Sequence, residues 1–375
     1  MNILIVYPEP VFPVNSGGRA RAWHIANYLS QNNKVTLLSL YWGINKDKKT
    51  KINNNFLYIE EMDRSYFVNR NWIRFLKYSK LSKYFRYNKE YIFFPSCLKL
   101  LKSFNADLII CNHSFMFLNC WLGKKNKIPI ILDQQNVESE INKNLKFWEM
   151  FALKRANFIT SCSPVDMDKM IKLFPRTENK IELIENGVDI KKAKNTVINR
   201  KAVREKLGLQ SDDFVLCFHG CYDYDPNKKA YKWIYNNLNF IKNVKILLFG
   251  RNCHKKRNKN IINLGCIDNP FEYIKACDAA IVPLLFGSGT RIKILEYLAC
   301  GLPVISTLKG AEGLEVKNNK NIIIEKLDNF KKAIFQLISD QKKQKDISNG
   351  GYKLVCEKYD WNIILEKLDL ILNKI

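Results

Sequence analysis

The chain has 375 residues, a length that predicts two domains rather than one. Its hydrophobic fraction of 47% excludes a disordered protein, and no apolar run approaches the ~20 residues that span a bilayer. The net charge of +25 indicates either an anionic partner (a phosphorylated substrate, an acidic lipid surface or a nucleic acid) or a compositional bias toward lysine.

The first predicted element is a β-strand over residues 3–6, where the sequence Ile-Leu-Ile-Val is continuously apolar. Runs of this kind are typical of strands that are buried on both faces of a parallel sheet. The run has no basic segment before it and no small-residue cleavage site after it, so we interpret it as a strand and not as a signal peptide. Gly17 and Gly18 follow it, and then a predicted helix over residues 19–31.

The same alternation of strand and helix continues through both halves of the chain. In the first half, strands are predicted over residues 35–40, 107–111, 128–132 and 158–161. In the second half, strands are predicted over 213–218, 244–249, 261–264, 279–283 and 304–306, with helices from about residue 228 and over 290–300. Gly301 is typical of the residue that follows a helix C-terminus. The pattern predicts an α/β fold with two doubly wound, Rossmann-like domains.

Three segments are predicted from this pattern: a domain of residues 1–186, a domain of residues 187–358, and a closing helix over residues 359–375. The boundary is placed in the polar and basic stretch that follows Asn186 and Gly187. The closing helix carries Trp361 and several aliphatic residues, so we expect it to pack across the domain junction.

Eleven cysteines are scattered along the chain without the spacing of a disulfide framework. Several lie in apolar stretches, where a free cysteine behaves as a small buried hydrophobic residue. This usage is typical of a reducing compartment, so the expected location is the cytoplasm.

The most informative segment, residues 286–296, joins a predicted apolar strand to a predicted helix. Ligands of open α/β sheets bind at the carboxyl ends of the strands, and a helix N-terminus behind a glycine-rich turn favours phosphate. Arg291 and Lys293 place cations in the first turn of that helix, where they are unfavourable unless an anion is bound. Glu296 has a carboxylate that can accept bonds from two hydroxyl groups of a ribose. The segment therefore predicts a site for a phosphate and a ribose.

Residues 287–307 and 310–314 resemble the donor-site signature of the group-1 (family 4) retaining glycosyltransferases. The resemblance implies the GT-B fold, in which two Rossmann-like domains face a central cleft. It also implies a nucleotide-diphosphate sugar as co-substrate, a glycan or lipid-linked acceptor on the side of residues 1–186, and no cofactor. The implied donor-binding residues are Gly17, Gly18, Ser288, Gly289, Thr290, Arg291, Lys293 and Glu296.

The resemblance extends along nearly the whole chain. Residues 13–18, with Arg21 after them, are similar to the family's glycine-rich loop under the sugar diphosphate. Residues 133–139 resemble a segment that in many relatives reads Asp-x-His-Asn-Val-Glu, with Gln135 in place of the histidine. Shorter matches are found at residues 186–189, 220–227 and 359–361.

Two positions depart from the family pattern. Members with the Glu-x7-Glu motif have a first glutamate eight positions before the second, and here Ser288 occupies that position. A basic pair that binds phosphate in many relatives is also missing, with Cys221 at the arginine position. We therefore expect Arg291 and Lys293 to take over the phosphate-binding role and to be catalytic.

His113 follows the predicted strand over residues 107–111, at a position where the family often has a histidine near the sugar. It is the third predicted catalytic residue, and the alternative is an inert loop histidine. The resemblance implies front-face transfer with retention, in which the leaving diphosphate accepts the acceptor's proton. Such a reaction needs positioning and charge stabilisation rather than a strong general base, and no metal is expected.

Two further patterns point elsewhere. Cys217, His219 and Cys221 are zinc-ligand types that an extended strand would direct to one face, but no Cys-x2-Cys pair accompanies them, so no metal site is expected. Residues 70–87 place Arg70, Arg74 and Lys77 on one helical face among aromatic residues. That face suits peripheral contact with an anionic membrane surface, and the alternative is an ordinary surface helix.

Two other functions stay open from the sequence. The sugar-nucleotide 2-epimerases share the fold, but their acidic catalytic signatures are not evident here. A nucleic-acid-binding protein would explain the charge, but only residues 70–87 approach the basic, aromatic pattern that such proteins have, so no nucleic-acid partner is expected. The leading hypothesis is a glycosyltransferase of the hexosyltransferase type that acts in glycan biosynthesis.

Overall fold

The computed structural model describes residues 1–14, 16–42, 47–63, 86–87, 90–91, 97–125, 127–287 and 289–375. They form two compact units, one of residues 1–185 with 365–375 and one of residues 186–364. The predicted closing segment is divided between the units, because Ile364 is the last residue of the second unit and Leu365 belongs to the first.

The first unit is built on a mainly parallel sheet. Its strands are β1 (Asn2–Tyr7), β2 (Lys34–Trp42), β3 (Lys48–Lys51), β4 (Phe56–Asp63), β5 (Arg86–Tyr87), β6 (Glu90–Tyr91), β7 (Leu108–Asn112), β8 (Ile130–Gln134), β9 (Phe158–Ser161) and β10 (Ile181–Leu183). Eight of them form one sheet in the order β10-β9-β8-β7-β1-β2-β4-β3, while β5 and β6 pair with each other. The pair β3–β4 is antiparallel and the other pairs of the large sheet are parallel.

In the described part of the first unit, six helices connect these strands. They are α1 (Gly17–Leu29), α2 (Cys97–Ser103), α3 (Phe117–Gly123), α4 (Glu138–Ile141), α5 (Lys146–Arg155) and α6 (Pro164–Leu173). Helix α6 begins where a sequence argument would place it, because Ser163 caps it by accepting from the Asp166 N–H and Pro164 fills its first turn.

The second unit repeats the architecture with a seven-stranded sheet. Its strands are β11 (Phe214–His219), β12 (Val244–Phe249), β13 (Lys256–Asn258), β14 (Ile261–Asn263), β15 (Ala279–Val282), β16 (Val304–Ser306) and β17 (Ile323–Ile324), in the order β13-β14-β12-β11-β15-β16-β17. The remaining described helices are α7 (Ile190–Asn195), α8 (Arg200–Lys206), α9 (Asp225–Leu238), α10 (Pro270–Lys275), α11 (Ile292–Ala299), α12 (Phe330–Ser339), α13 (Gln341–Lys358) and α14 (Trp361–Leu372), and the last of them begins in the second unit and ends in the first.

The central strands are buried because they are apolar on both faces. Residues 3–7 of β1 and 215–218 of β11 are almost completely inaccessible to solvent. Helices on each face cover such strands, which is the physical reason that continuous apolar runs mark a parallel sheet. The predicted fold class, two Rossmann-like α/β domains, is confirmed for both units.

Each sheet contains a point where the strand order reverses. In the first unit, β2 lies on one side of β1 and β7 on the other; in the second, β12 lies on one side of β11 and β15 on the other. At such a point the connections that follow two neighbouring parallel strands run in opposite directions. They leave a crevice at the carboxyl ends of these strands, in which ligands of this fold class bind. Functional residues are therefore expected after β1 and β7, and after β11 and β15.

A buried ion pair ties α1 to the first sheet. The guanidinium of Arg21 donates to both carboxylate oxygens of Asp133, at 2.7 and 3.0 Å, and neither side chain is more than 1% exposed. The same guanidinium donates to the carbonyl oxygens of Ile184 and Glu185, after β10. These bonds connect the helix after β1 with β8 and with the end of the unit's edge strand.

Candidate functional site

A glycine-rich turn follows β15 and leads into α11, beside the switch point of the second unit. Arg291 is the N-cap residue of α11, and its guanidinium folds back over the turn. Its two terminal nitrogens donate to the carbonyl oxygens of Gly287 and Gly289, each at 2.9 Å. Gly287 has a φ of 117° and Gly289 a φ of 75°, which other residues rarely adopt. Arg291 is buried, so these bonds fix the shape of the turn.

Glu296 lies in the second turn of α11, next to the end of β11. Its Oε2 is 2.8 Å from Nε2 of His219, the last residue of β11. The other ring nitrogen of His219, Nδ1, is 2.9 Å from the hydroxyl of Tyr297, and that hydroxyl also accepts the backbone N–H of His219 at 2.8 Å. The imidazole stacks on Phe249 with 5.2 Å between the ring centres. The Glu296 side chain remains 21% exposed, so it is partly accessible to a ligand.

Lys293 is in the first turn of α11 and directs its ammonium group toward α9. Its Nζ is 2.7 Å from Oδ1 of Asn227 and 4.2 Å from the centre of the Phe218 ring. Burial, with the nearby charge of Arg291, lowers the pKa of Lys293 to about 7. A cation in this position is stabilised by any anion that binds beside it.

Gly220 brings these groups to one place, because the chain after β11 passes close to Lys293 there. A Cβ atom at Gly220 would lie 2.6 Å from Nδ2 of Asn227 and 2.9 Å from Nζ of Lys293. The absence of a side chain therefore leaves the ammonium beside the backbone that follows His219. The Lys293 cation and the Glu296 carboxylate thus both lie beside the end of β11. This arrangement suits a ligand that has both an anionic group and hydroxyl groups.

The first unit has its own cluster of polar groups at its switch point. His113 follows β7 directly, and its Nδ1 is 2.7 Å from Oε1 of Glu138, whose side chain is fully buried. The other oxygen of that carboxylate, Oε2, has no hydrogen-bond partner among the described residues. His113 has φ 67° and ψ 137°, a rare conformation for a residue with a side chain. Strain of this kind is concentrated at functional sites.

A second buried glutamate supports this cluster from behind. Glu149, in α5, accepts the backbone N–H groups of Glu138 and Ser139 and the side-chain amide of Gln134. Burial raises its pKa above the ordinary range of a carboxyl group. These bonds hold the start of α4, and therefore the carboxylate of Glu138, in place.

Gly18 and Gln135 lie on the other side of the same switch point. A Cβ atom at Gly18 would lie 2.5 Å from Oε1 of Gln135 and 2.7 Å from the hydroxyl of Tyr7, at the end of β1. The side-chain amide of Gln135 donates to Oδ1 of Asn112 at 3.1 Å. Gln135, which stands where many relatives have histidine, is thus packed against the first turn of α1.

Two family models match the chain in two blocks that together span most of it. The model described as Glycosyltransferase Family 4 matches residues 16–192, and the model described as Glycosyl transferases group 1 matches residues 213–340. The chain belongs to the group-1 (family 4) glycosyltransferases. Both blocks include the residues at the switch points, His113 and Glu138 in the first and His219, Lys293 and Glu296 in the second.

Individual relatives agree with this assignment. This glycosyltransferase is 28% identical over 215 residues to the UDP-Gal:alpha-D-GlcNAc-diphosphoundecaprenol alpha-1,3-galactosyltransferase of Escherichia coli, a match that covers 52% of this chain. The match spans 55%, about half, of the length of that curated relative.

Solved structures with low sequence identity share the fold of this glycosyltransferase over its full length. Sucrose-phosphate synthase from Thermosynechococcus elongatus has a TM-score of 0.75 at 14% identity, covering 100% of this chain and 98% of that one. HepE from Anabaena, in complex with UDP and glucose, has a TM-score of 0.76 at 15% identity, covering 100% of both chains. The predicted GT-B fold is confirmed.

The structure distributes the predicted site residues between the two units. Gly289, Thr290, Arg291, Lys293 and Glu296 of this glycosyltransferase lie together around the start of α11, and Ser288 lies outside the described residues. Gly17, Gly18 and His113 belong to the first unit, where the two glycines form the first turn of α1 rather than a loop before it. Helix α11 begins two residues later than predicted, so Arg291 caps it instead of lying within its first turn.

Membrane spans and metal sites can be examined only in the part of the chain that the structure describes. None of the described helices is long and apolar enough to cross a membrane. No group of three or more His, Cys, Asp or Glu side chains among the described residues could hold a metal ion, and His219 bonds to Glu296 and Tyr297 instead. The basic segment over residues 70–87 falls almost entirely outside the part of the chain that the structure describes.

Three residues of the sites were not predicted with these roles. From the sequence, His219 is interpreted only as a possible zinc ligand, Asn227 only as part of a family match, and Glu138 only as the end of the Asp-x-His-Asn-Val-Glu segment. A polar residue that ends a buried apolar strand is a usable signal, and His219 and Asn112 both fit it. The partner of each such residue lies on a distant element and has no local signal.

Proposed function

We propose that this protein transfers a sugar from a nucleotide-diphosphate sugar to a glycan or lipid-linked acceptor with retention of the anomeric configuration. The observation that carries the proposal is that α11 holds both the Glu296 carboxylate and the Lys293 ammonium beside the end of β11, each fixed by its own partner, His219 and Asn227. A nucleoside diphosphate presents ribose hydroxyls and phosphate oxygens in one molecule, which matches these two groups.

Glu296 and Lys293 would bind different parts of the donor. Two hydroxyl groups of the ribose would donate to Glu296, and such charge-assisted bonds are stronger than neutral ones. The diphosphate would lie against Lys293 and the N-terminus of α11, where the helix dipole favours negative charge. Arg291 would act mainly through the turn that it holds.

The relatives support a particular donor and acceptor for the first tests. The name of the Escherichia coli relative gives UDP-galactose as donor and a GlcNAc-diphosphoundecaprenol as acceptor. HepE binds UDP and glucose in its solved structure. We therefore propose a UDP-sugar as donor and a diphosphate-linked lipid sugar as acceptor.

The reaction would proceed on one face of the donor sugar. The bond between the anomeric carbon and the diphosphate oxygen breaks, and the acceptor oxygen forms a bond to that carbon on the same face. The acceptor's proton passes to the departing diphosphate oxygen, so no side chain needs to remove it. Lys293 would stabilise the charge that builds on the leaving diphosphate, which accelerates the step because that charge is largest in the transition state.

His113 would contact a sugar hydroxyl from the first unit. With Nδ1 directed at Glu138, the other ring nitrogen, Nε2, is left for a substrate. We propose that this contact orients the reacting sugar, so His113→Asn would lower the turnover number and leave nucleotide affinity close to that of the wild type. Nucleotide binding that falls in parallel with turnover would contradict this role.

Contact with an anionic membrane surface is part of the proposal, because a lipid-linked acceptor is embedded in a bilayer. The exposed face of α5 and of the turn before it carries Phe147 and Met150, 52% and 47% exposed, between Lys143, Lys146 and Lys154. Apolar side chains flanked by cations suit the boundary of an anionic bilayer.

Liposome co-sedimentation tests this contact. The double variant Phe147→Glu, Met150→Glu is expected to lose binding to vesicles that contain phosphatidylglycerol. The matched control is Phe335→Glu, which is also 52% exposed but lies in the second unit. Equal binding by the double variant and the control would reject the α5 face as the membrane contact.

Transfer itself is tested with purified protein, GlcNAc-diphosphoundecaprenol and a panel of nucleotide sugars. The expected result is one donor that adds a hexose to the lipid, with release of its nucleoside diphosphate. The anomeric configuration of the product, read by NMR, should equal that of the donor. A product with the inverted configuration would contradict retention but not the transferase function. No transfer and no donor hydrolysis across the panel would overturn the function.

A further inference from the structure

The carboxylate of Glu296 does not stand alone, because it bonds to a ring that is itself fixed by buried groups. Tyr297 is completely buried, and its hydroxyl has two contacts with His219, one to the backbone N–H and one to Nδ1. A hydroxyl has one hydrogen to donate. Since it accepts from the backbone N–H, its own hydrogen is available for Nδ1.

These contacts determine which ring nitrogen carries the proton. When Nδ1 accepts from Tyr297, the hydrogen of the neutral imidazole lies on Nε2. Nε2 is the atom that faces Glu296 Oε2 at 2.8 Å, so the ring donates to the carboxylate there. The opposite tautomer would place a nitrogen lone pair against the carboxylate and leave the Tyr297 hydrogen without an acceptor.

From this chain of bonds we infer that His219 is a positioning residue for Glu296, and that Tyr297 acts through it. The inference rests on the proposed function, in which Glu296 accepts bonds from the donor's ribose. The ring holds one carboxylate oxygen, so the carboxylate plane is set before the nucleotide arrives. Preorganisation of this kind increases affinity by lowering the ordering cost of binding. Phe249, stacked on the ring at an interplanar angle of 2°, limits its remaining freedom.

The test is the ratio of two affinities, that for a ribonucleotide and that for its 2′-deoxy counterpart. Both affinities are measured by calorimetry, for UDP, GDP and ADP. The wild type is expected to bind the ribonucleotide about tenfold or more tightly, as one hydrogen bond to a charged group predicts. In Glu296→Gln the ratio should fall strongly, which identifies the carboxylate as its source. A general loss of structure would weaken both nucleotides equally and leave the ratio unchanged.

Three variants separate positioning from mere stability. His219→Asn cannot reach Glu296 and should reduce the ratio to below about threefold, whereas His219→Gln places an amide N–H near the Nε2 position and should retain most of it. Tyr297→Phe removes the hydroxyl that selects the tautomer, so the ratio should fall although this buried residue does not touch the nucleotide. If His219→Asn does not fold, Tyr297→Phe and His219→Gln carry the test.

The outcomes also distinguish this inference from the proposed function. Ratios in His219→Asn and Tyr297→Phe that equal the wild-type ratio would overturn the positioning role while nucleotide binding stands. A wild-type protein that binds none of the three ribonucleotides would instead contradict the proposed donor site. When His219→Asn is added to Glu296→Gln, the ratio should show no further change, because the two residues act as one unit.

Discussion

The Nζ atom of Lys293 lies 2.7 Å from Oδ1 of Asn227, and the ammonium stands over the ring of Phe218. An amide oxygen and an aromatic face stabilise the cation less than water does, so the pKa of Lys293 is lowered to about 7. The charged form of Lys293 is therefore disfavoured in this site until an anion binds beside it.

The unfolding free energy should consequently depend on pH through Lys293. In the unfolded chain its pKa is about 10.4, so between pH 7 and that value the unfolded state binds more protons than the folded state, and stability rises with pH. Below pH 7 both states are protonated and the dependence ends. Urea unfolding at pH 7 and pH 9.5 should show this rise in the wild type and a smaller one in Lys293→Met. Equal pH dependence in both proteins would show that Lys293 titrates normally.

Arg291→Ala should destabilise the protein even without a ligand. The variant loses the bonds from the guanidinium to the carbonyl oxygens of Gly287 and Gly289, and bonds to a charged group contribute about 1.5–3 kcal/mol. Arg291→Lys should recover part of the loss, since an ammonium lacks the planar fork that bonds both carbonyls. Chemical denaturation of the three proteins measures this. An Arg291→Ala protein as stable as the wild type would show that these bonds contribute nothing to the turn.

Loss of the buried ion pair should be among the most damaging changes in the first unit. Asp133→Asn leaves the fully buried guanidinium of Arg21 without its counter-charge, which should reduce the unfolding free energy by about 3–5 kcal/mol. The control is Lys169→Met, which breaks a surface ion pair with Glu140. This variant should change the unfolding free energy by less than about 1 kcal/mol. Urea denaturation provides both values, and similar values for the two variants would refute the structural role of the pair.

Turnover should persist in the presence of excess chelator. Lys293 and the N-terminus of α11 can neutralise a diphosphate without a divalent ion, and no cluster of acidic, histidine and cysteine ligands occurs among the described residues. The assay is transfer in EDTA, with and without added Mg²⁺ or Mn²⁺. Complete loss of activity that either metal restores would show that the reaction depends on a metal.

The central architecture could be predicted from the sequence, while the sheet edges could not. Strands such as β1 and β11 are buried on both faces, so they appear as continuous apolar runs that no other element of that length explains. The edge strands β3 and β13 have the sequences Lys-Lys-Thr-Lys and Lys-Arg-Asn and are largely exposed. Their pairing depends on a neighbouring strand and not on burial, so their sequences contain no strand signal.

The candidate sites also contain some residues that could be predicted from the sequence and others that could not. Lys293 and Glu296 could be proposed from residue type, since a cation and a carboxylate follow a glycine-rich turn within a few positions. The partner of Glu296 could not, because His219 is 77 residues away in sequence and meets it only when β11 packs beside α11. The orientation of Arg291 toward the turn depends on the positive φ angles of Gly287 and Gly289, which the sequence permits but does not specify.

Calorimetric titration of nucleoside diphosphates tests the central claim, a donor site at the end of β11, most directly. UDP, GDP, ADP and CDP would be titrated into the wild type, Lys293→Met and Glu296→Gln at pH 7, with Phe335→Glu as a control variant that is remote in sequence and exposed. We predict that at least one nucleotide binds to the wild type and to the control. Its affinity should fall about tenfold or more in each site variant, as the loss of one charge-assisted contact implies. Equal affinity in all four proteins, or no binding by any nucleotide, would contradict the account.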